Sequence, residues 1–349
     1  MIELKFKQKY IPLTIVCMLL LIGMGYFYFF SSVSDAEEPR YLYVDADDNV
    51  DSVVVKLKPI CSKHAVSGLC LLMNHSGYSE NVRSGRYEVS NQIGTFSFFR
   101  RLKNGNQTPL HLTIPSVRTM DRLAAELSRR LMLDSAALAT AFTDEELCRK
   151  YGYDTLTIAC MFIPNTYDVY WNVSVEKFLN RMQTESNRFW NNERKAKAEA
   201  LMLTPVQVIT LASIVDEETA NDKEKPMVAG MYYNRLTLRT KEYPQGMPLQ
   251  ADPTIKFAWK QFELKRIYNK LLFIDSPFNT YRNTGLPPGP IRIPTVSGID
   301  AVLNLVHHHY IYMCAKEDLS GTHNFAATYQ EHLQNAKRYT DMLNKRGIQ

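Results

Sequence analysis

Three consecutive acids, Asp216, Glu217 and Glu218, close an apolar run that begins at Thr204. Thr204 suits a helix N-cap, and Pro205 suits the first helical position, where its missing N–H has no intrahelical partner to lose. The spacing predicts a helix over 204–220 with Val208, Leu211, Ala212, Ile214 and Val215 on one apolar stripe. Stepping about 100° per residue puts Glu218 near the middle of that stripe. Asp216 and Glu217 project away from it and read as solvated groups. A carboxylate on an apolar face loses hydration, which raises its pKa toward that of a general acid working near neutrality. The competing reading places this turn at the rim of the core, with Glu218 snorkelling to water or pairing with an arginine.

Other polar residues fall on segments too irregular to be helix or strand. Residues 243–254 and 276–295 are rich in proline and glycine, and long loops in a compact domain are commonly functional. Gln250, Asn279, Thr280 and Tyr281 supply the amide, hydroxyl and aromatic groups that suit sugars, although a protein interface could use them equally. His323, after a glycine turn, is a further candidate, with a satisfied structural histidine as the default. His307, His308 and His309 are consecutive and so point in different directions, which does not suit one ion. No metal or cofactor is expected.

These groups must be held by an ordered scaffold, and the chain is long enough to build one. Its 349 residues are 45% hydrophobic with a net charge of +5, which fits an anionic polymer or a membrane surface without requiring either. No Lys/Arg run interleaved with aromatics marks a nucleic-acid footprint. Residues 11–30 carry no charge and are long enough to cross a bilayer. Lys5, Lys7 and Lys9 precede this stretch and Asp35, Glu37 and Glu38 follow it, so the positive-inside rule places the N-terminus in the cytoplasm. A cleaved signal peptide is the rival, disfavoured by the length of the apolar run and a poor cleavage site. Six cysteines lack C-x-x-C spacing, so neither a redox dithiol nor a zinc ribbon is indicated; Cys61 and Cys70 are either a local bridge or two free thiols.

Beyond an acidic linker, strands at 41–44, 84–90 and 109–115 alternate with helical segments from Asp48 and over 94–102, with a second apolar segment over 65–73, an α+β pattern for residues 40–115. Longer helices follow from 116, then an extended 162–170 and an amphipathic helix marked by Val175, Phe178, Leu179 and Met182. A further helix over 227–236 carries Tyr232, Tyr233, Asn234 and Arg235. Residues 310–315 read as a buried strand before a terminal helix.

Six segments in order, FIPNTY (162–167), LASIVDEETA (211–220), YNRL (233–236), LQADPT (249–254), NTYRNTGLPPGPI (279–291) and HNF (323–325), resemble the YceG-like family of endolytic murein transglycosylases, also called MltG. The resemblance covers about 115–345 well and 40–115 more loosely, as the family's LysM-like module. It implies an α+β chain divided into a cytoplasmic tail (1–9), a transmembrane helix (10–30), a linker (31–39), a LysM-like peptidoglycan-binding module (40–115) and a mixed α/β catalytic domain with long loops (116–349). In the family pattern A-S-I-[IV]-E-x-E-T the second glutamate is the proton donor, which is Glu218 here. The first glutamate is shortened to Asp216, and Asn165 stands where the family has Asp.

The implied reaction is non-hydrolytic cleavage of the MurNAc-β-1,4-GlcNAc bond within glycan strands, leaving 1,6-anhydro-MurNAc ends and limiting nascent strand length. Glu218 would act as acid and then base, with Asp252 the carboxylate to watch beside it. Gln250, Thr254, Asn279, Tyr281 and His323 would hold sugars or orient Glu218. The implied partners are glycan strands, the inner membrane and peptidoglycan synthases, with the catalytic domain outside the cytoplasm. The alternatives are a muramidase-type hydrolase and a non-catalytic peptidoglycan-binding scaffold.

Overall fold

The structure, a computed structural model, describes residues 2–264 and 266–346, without the side chains of 2–11. Met1 and the side chains of the expected cytoplasmic tail therefore lie outside the described residues. The chain divides into two units, the first formed by Met1–Leu112, Arg130–Met132 and Asp168–Val173 and the second by the remainder.

In the first unit, α1 (Ile2–Phe29) is one continuous helix whose window Pro12–Phe29 is apolar and long enough to cross a membrane. β1 (Arg40–Val44), α2 (Val50–Leu57), α3 (Lys63–His75), β2 (Gly85–Val89) and α4 (Thr95–Asn104) follow. β1 and β2 pair antiparallel with Leu42 opposite Tyr87. Alternation along the pair turns Leu42, Val44, Tyr87 and Val89 inward onto Val53, Leu57, Leu69, Met73, Phe98 and Leu102. Asn49 and Ser52 form a reciprocal capping box at the start of α2. α4 stops at Gly105, whose φ of +72° allows Asn106 N–H to reach the Arg101 carbonyl.

Residues 31–34, at the start of the expected linker, pack into this unit. Val33 is fully buried, its N–H bonded to the Ile93 carbonyl at 2.8 Å and its carbonyl accepting from Ser62 N–H at 3.1 Å. The chain is built into the module core at once on leaving α1, because Val33 fills an apolar position that charge pattern alone does not reveal.

β3 (Leu110–Thr113) and β4 (Thr166–Val169) form a second two-stranded sheet. The second unit contains α5 (Met120–Ser128), α6 (Ser135–Thr143), α7 (Glu145–Lys150), α8 (Val175–Phe189), α9 (Asn192–Ala200), α10 (Pro205–Glu218), α11 (Lys225–Thr237), α12 (Asp252–Ala258), α13 (Val296–Leu303), the antiparallel pair β5 (Tyr312–Ala315) and β6 (His323–Ala326), and α14 (Tyr329–Lys345). The architecture is thus mixed helix and sheet, with two long irregular segments flanking α12.

α10 is the axis of this unit, packed by α9, α11, α12 and α13. Every residue from Val208 to Val215 is buried, including Thr210 and Ser213, so the helix is apolar all round rather than striped. Thr210 donates to the Val206 carbonyl and Ser213 to that of Thr210. β5 is half-buried, not buried as expected, because its one strand partner is β6 and α14 packs against the pair. His308 is structural, its ring nitrogens meeting Met227 O at 3.0 Å and Tyr310 N at 3.0 Å. Cys61 and Cys70 are free thiols.

Candidate active site

The start of α10 is fixed by a capping box: Gln207 N–H donates to Thr204 Oγ1 at 3.2 Å, and Thr204 N–H donates to Gln207 Oε1 at 2.8 Å. Its end is Glu218, after which Thr219 turns extended. Glu218 is half-buried and lines a cavity of about 350 Å³ with Tyr232 and Arg235 of α11, Gln250, Asp252 and Tyr281 of the loops, Tyr312 of β5 and His323 of β6. That size is within the range of small-ligand clefts.

Tyr232 donates its hydroxyl to Glu218 Oε1 at 2.5 Å. Burial, opposed by the Tyr232 hydrogen bond and reinforced by the charge of Asp252, holds the Glu218 carboxyl up at about 7. The negative end of the α10 dipole works in the same direction as burial. Because this pKa lies above the ordinary glutamate value, the stability it contributes is intact below the unfolded value and is lost as pH rises through about 7. Glu218 therefore stores its proton at a thermodynamic cost to the fold at higher pH.

Tyr281 donates to Asp252 Oδ1 at 2.5 Å, and burial together with that bond holds its phenol well above the usual tyrosine range. Arg235 is buried, with Nε donating to the Ile311 carbonyl at 2.5 Å and Nη1 to the Leu249 carbonyl at 2.6 Å. It ties α11 to the loop before α12 and to the chain entering β5. Gln250 occupies the left-handed region at φ 51°, strained for a non-glycine residue, with its N–H on the Thr280 carbonyl and its side-chain oxygen 3.4 Å from Arg235 Nη1.

Of the residues singled out in the sequence, Glu218, Gln250, Asp252, Tyr281 and His323 converge on this cavity. Thr254 and Asn279, expected to hold sugar or to orient Glu218, are fully buried and lie outside the lining of this cavity. Thr254 Oγ1 donates to the Ala251 carbonyl at 2.6 Å and lies 2.9 Å from the equally buried Thr280 Oγ1. Asn279 donates to the Leu272 and Ile274 carbonyls and accepts from Tyr281 N–H at 3.0 Å. Their polar side chains substitute for the backbone ladder that an irregular loop lacks. Asn165 is likewise local, accepting from Thr166 N–H at 2.8 Å at the start of β4.

Asp216 and Glu217, read as solvated, are not. The Asp216 side chain is 2% exposed, 2.8 Å from Lys225 Nζ, and accepts from Thr295 N–H at 2.5 Å. The Glu217 side chain is 9% exposed, gripped by Arg118 at 2.8 and 2.9 Å and by Arg292 at 3.0 Å. Charge partners far away in sequence allow acids to lie off the stripe and still be buried. The shortening to Asp216 coincides with a tight contact, since a β-carbon on Gly298 would collide with its carboxyl group.

Tyr232, Arg235 and Glu224 carried no role in the sequence reading. The separation of three between Tyr232 and Arg235 puts both on one face of α11, a signal available in YNRL and its preceding tyrosine. Glu224 is buried and accepts from Thr219 Oγ1 at 2.8 Å and His323 N–H at 2.6 Å, with His323 Nδ1 at 3.2 Å. It fixes the residue after Glu218 to the strand that carries His323.

Residues 42–338 match the YceG-like family. An endolytic murein transglycosylase of Bacillus subtilis is 31% identical over 175 residues, 50% of this chain and 46% of that protein. One of Streptococcus pneumoniae is 24% identical over 355 aligned residues, 91% of this chain and 62% of that protein. The chain thus spans 46–62% of the length of these curated relatives. A crystal structure of a YceG-like protein from Listeria monocytogenes superimposes with a TM-score of 0.55 at 23% identity, covering 86% of this chain and 99% of that one, a likeness of fold. With residues 42–338 inside the family match, this chain belongs to the YceG-like family.

Proposed function

We propose that the protein is a membrane-anchored endolytic lytic transglycosylase of peptidoglycan. The observation that carries this reading is Glu218, a carboxyl held near neutrality, bonded to Tyr232 and facing a sugar-sized cavity. Glu218 donates its proton to the glycosidic oxygen as the muramyl C1–O bond breaks through an oxocarbenium-like state. The resulting carboxylate takes the proton of the muramyl C6 hydroxyl while that oxygen attacks C1. The 1,6-anhydro ring closes, the N-acetylglucosamine hydroxyl leaves, and Glu218 is protonated again without water. Since the nucleophile belongs to the substrate, one carboxyl suffices. Gln250, Tyr281 and His323 hold sugar, and the first unit acts as a LysM-like glycan-holding module. The lysines before α1 and the acids after it favour an inner-membrane anchor with the catalytic unit outside the cytoplasm, where synthases are the expected partners.

Asp252 shares the cavity, which is the observation that favours a hydrolase instead. Mass spectrometry of fragments released from intact glycan strands separates the two. Anhydro ends are expected; ends that have gained water mean hydrolysis, and unchanged strand length means a binding scaffold.

The pH profile reports on the same site. Cleavage should fall as pH rises past about 7, when Glu218 loses its proton. Tyr232→Phe deletes a bond that favours the ionised form, so the falling limb should move up by about half a pH unit to one unit. Asp252→Asn deletes a neighbouring negative charge and should move it down. Initial rates over roughly pH 5–9 check both signs.

A further inference from the structure

We infer that α3 of the first unit is embedded in the outer face of the bilayer alongside α1, so that the module is set into the membrane and not suspended above it. This rests on reading α1 as the membrane span, and it goes beyond that reading in naming a second lipid-contacting element.

The placement follows from length. The charge-free run begins at Tyr10, and the eleven residues from there to Leu20 rise only about 16 Å as helix. A hydrocarbon core of roughly 30 Å needs most of the remaining turns, through 21–28, as well. Those are the turns that α3 lies against. Leu21, Met24, Gly25, Tyr28 and Phe29 share a shallow groove with Ser67, Gly68 and Leu71 of α3.

The two helices come close at Gly68, where an added β-carbon would strike the Tyr28 carbonyl, so nothing larger than glycine permits the two backbones to come this near. Phe27 packs its ring 4.4 Å from that of His64 at the N-terminal end of α3, and Phe30 lies 6.0 Å from Phe96 of α4. The bonds of Val33 to Ile93 and Ser62 leave no free chain that could lift the module away.

Leu71 is 53% exposed on the α3 flank that adjoins α1. One exposed leucine on a soluble protein means little. Here it sits beside helix turns that hydrocarbon must cover, so the same lipid reaches it. Continuity with the span makes the occupant lipid and not a separate protein groove.

The test uses the full chain in phosphatidylcholine–phosphatidylglycerol vesicles, with the natural cysteines replaced and one environment-sensitive fluorophore attached through Leu71→Cys, Met24→Cys or Asp47→Cys. Asp47 lies exposed in an acidic loop that a bilayer excludes. Lipid-borne quenchers should reduce the Leu71 label by at least half as much as the Met24 label, and leave the Asp47 label nearly unchanged. A Leu71 label quenched by aqueous iodide, or shielded from both quenchers, overturns the proposal while a lipid-quenched Met24 label leaves the span intact. A Met24 label that lipid does not quench removes the span and the proposal together. Gly68→Val, which must separate the helices, should return the Leu71 label toward the aqueous response.

Discussion

Glu218→Gln should abolish release of anhydro-ended fragments, by roughly 10²–10⁴-fold, while leaving the fold intact or more stable. The amide matches the carboxyl in shape and can still accept the Tyr232 hydroxyl at Oε1, so cavity and hydrogen bond persist. What disappears is the ability to give and retake a proton. Above pH 7 the native protein carries a carboxylate in a poorly hydrated position, and the neutral amide relieves that cost. Activity and stability should therefore move in opposite directions, the signature of a group kept for function at the expense of the fold. Product analysis by mass spectrometry measures the first and thermal unfolding at pH 8 the second. A variant that cleaves at near-native rate would place the proton transfer elsewhere, and Asp252 would be the first group to try.

The same helix shows where periodicity informs and where it misleads. Thr204, Pro205 and Gln207 announce the start of α10 through local chemistry, and local chemistry is visible in a sequence. Glu218 could be singled out because seven residues from Leu211 is nearly two full turns. Asp216 and Glu217 were misread because a stripe argument assumes one buried face, whereas α9, α11, α12 and α13 cover α10 on several sides. Their partners Lys225, Arg118 and Arg292 lie from 9 to 99 residues away, too far for any local pattern to register. The burial of Thr254 and Asn279 escapes a sequence pattern for a related reason. A polar side chain on a loop can face a ligand or knit the loop together, and the residue type is the same in either case.

Lys225→Met should destabilise the second unit by about 3 kcal/mol, near the lower end of what breaking a buried pair costs. Lys225 is buried, with Nζ 2.8 Å from Asp216 and 2.7 Å from Asp222. Burial alone would push the Lys225 ammonium down, but its bonds to the two aspartates hold it above the usual lysine range. Asp222 is largely exposed and can turn to water when its partner is lost. Asp216 cannot, with 2% of its side chain accessible, although Thr295 still donates to it through N–H and hydroxyl, and this keeps the cost from being larger. A loss of that size corresponds to a melting temperature lower by roughly 6–12 °C in a unit of this length. Adding Asp216→Asn to Lys225→Met removes the stranded charge and should recover a large part of the loss, although either change alone is harmful. Because Asp216 sits two residues before Glu218 on the same buried turn, the single variant should also lose cleavage activity below its melting range, and the double variant should regain it in step with stability. Activity that stayed low in a restabilised double variant would mean that the ion pair positions Glu218 directly and does more than hold α10 against α11 and α13.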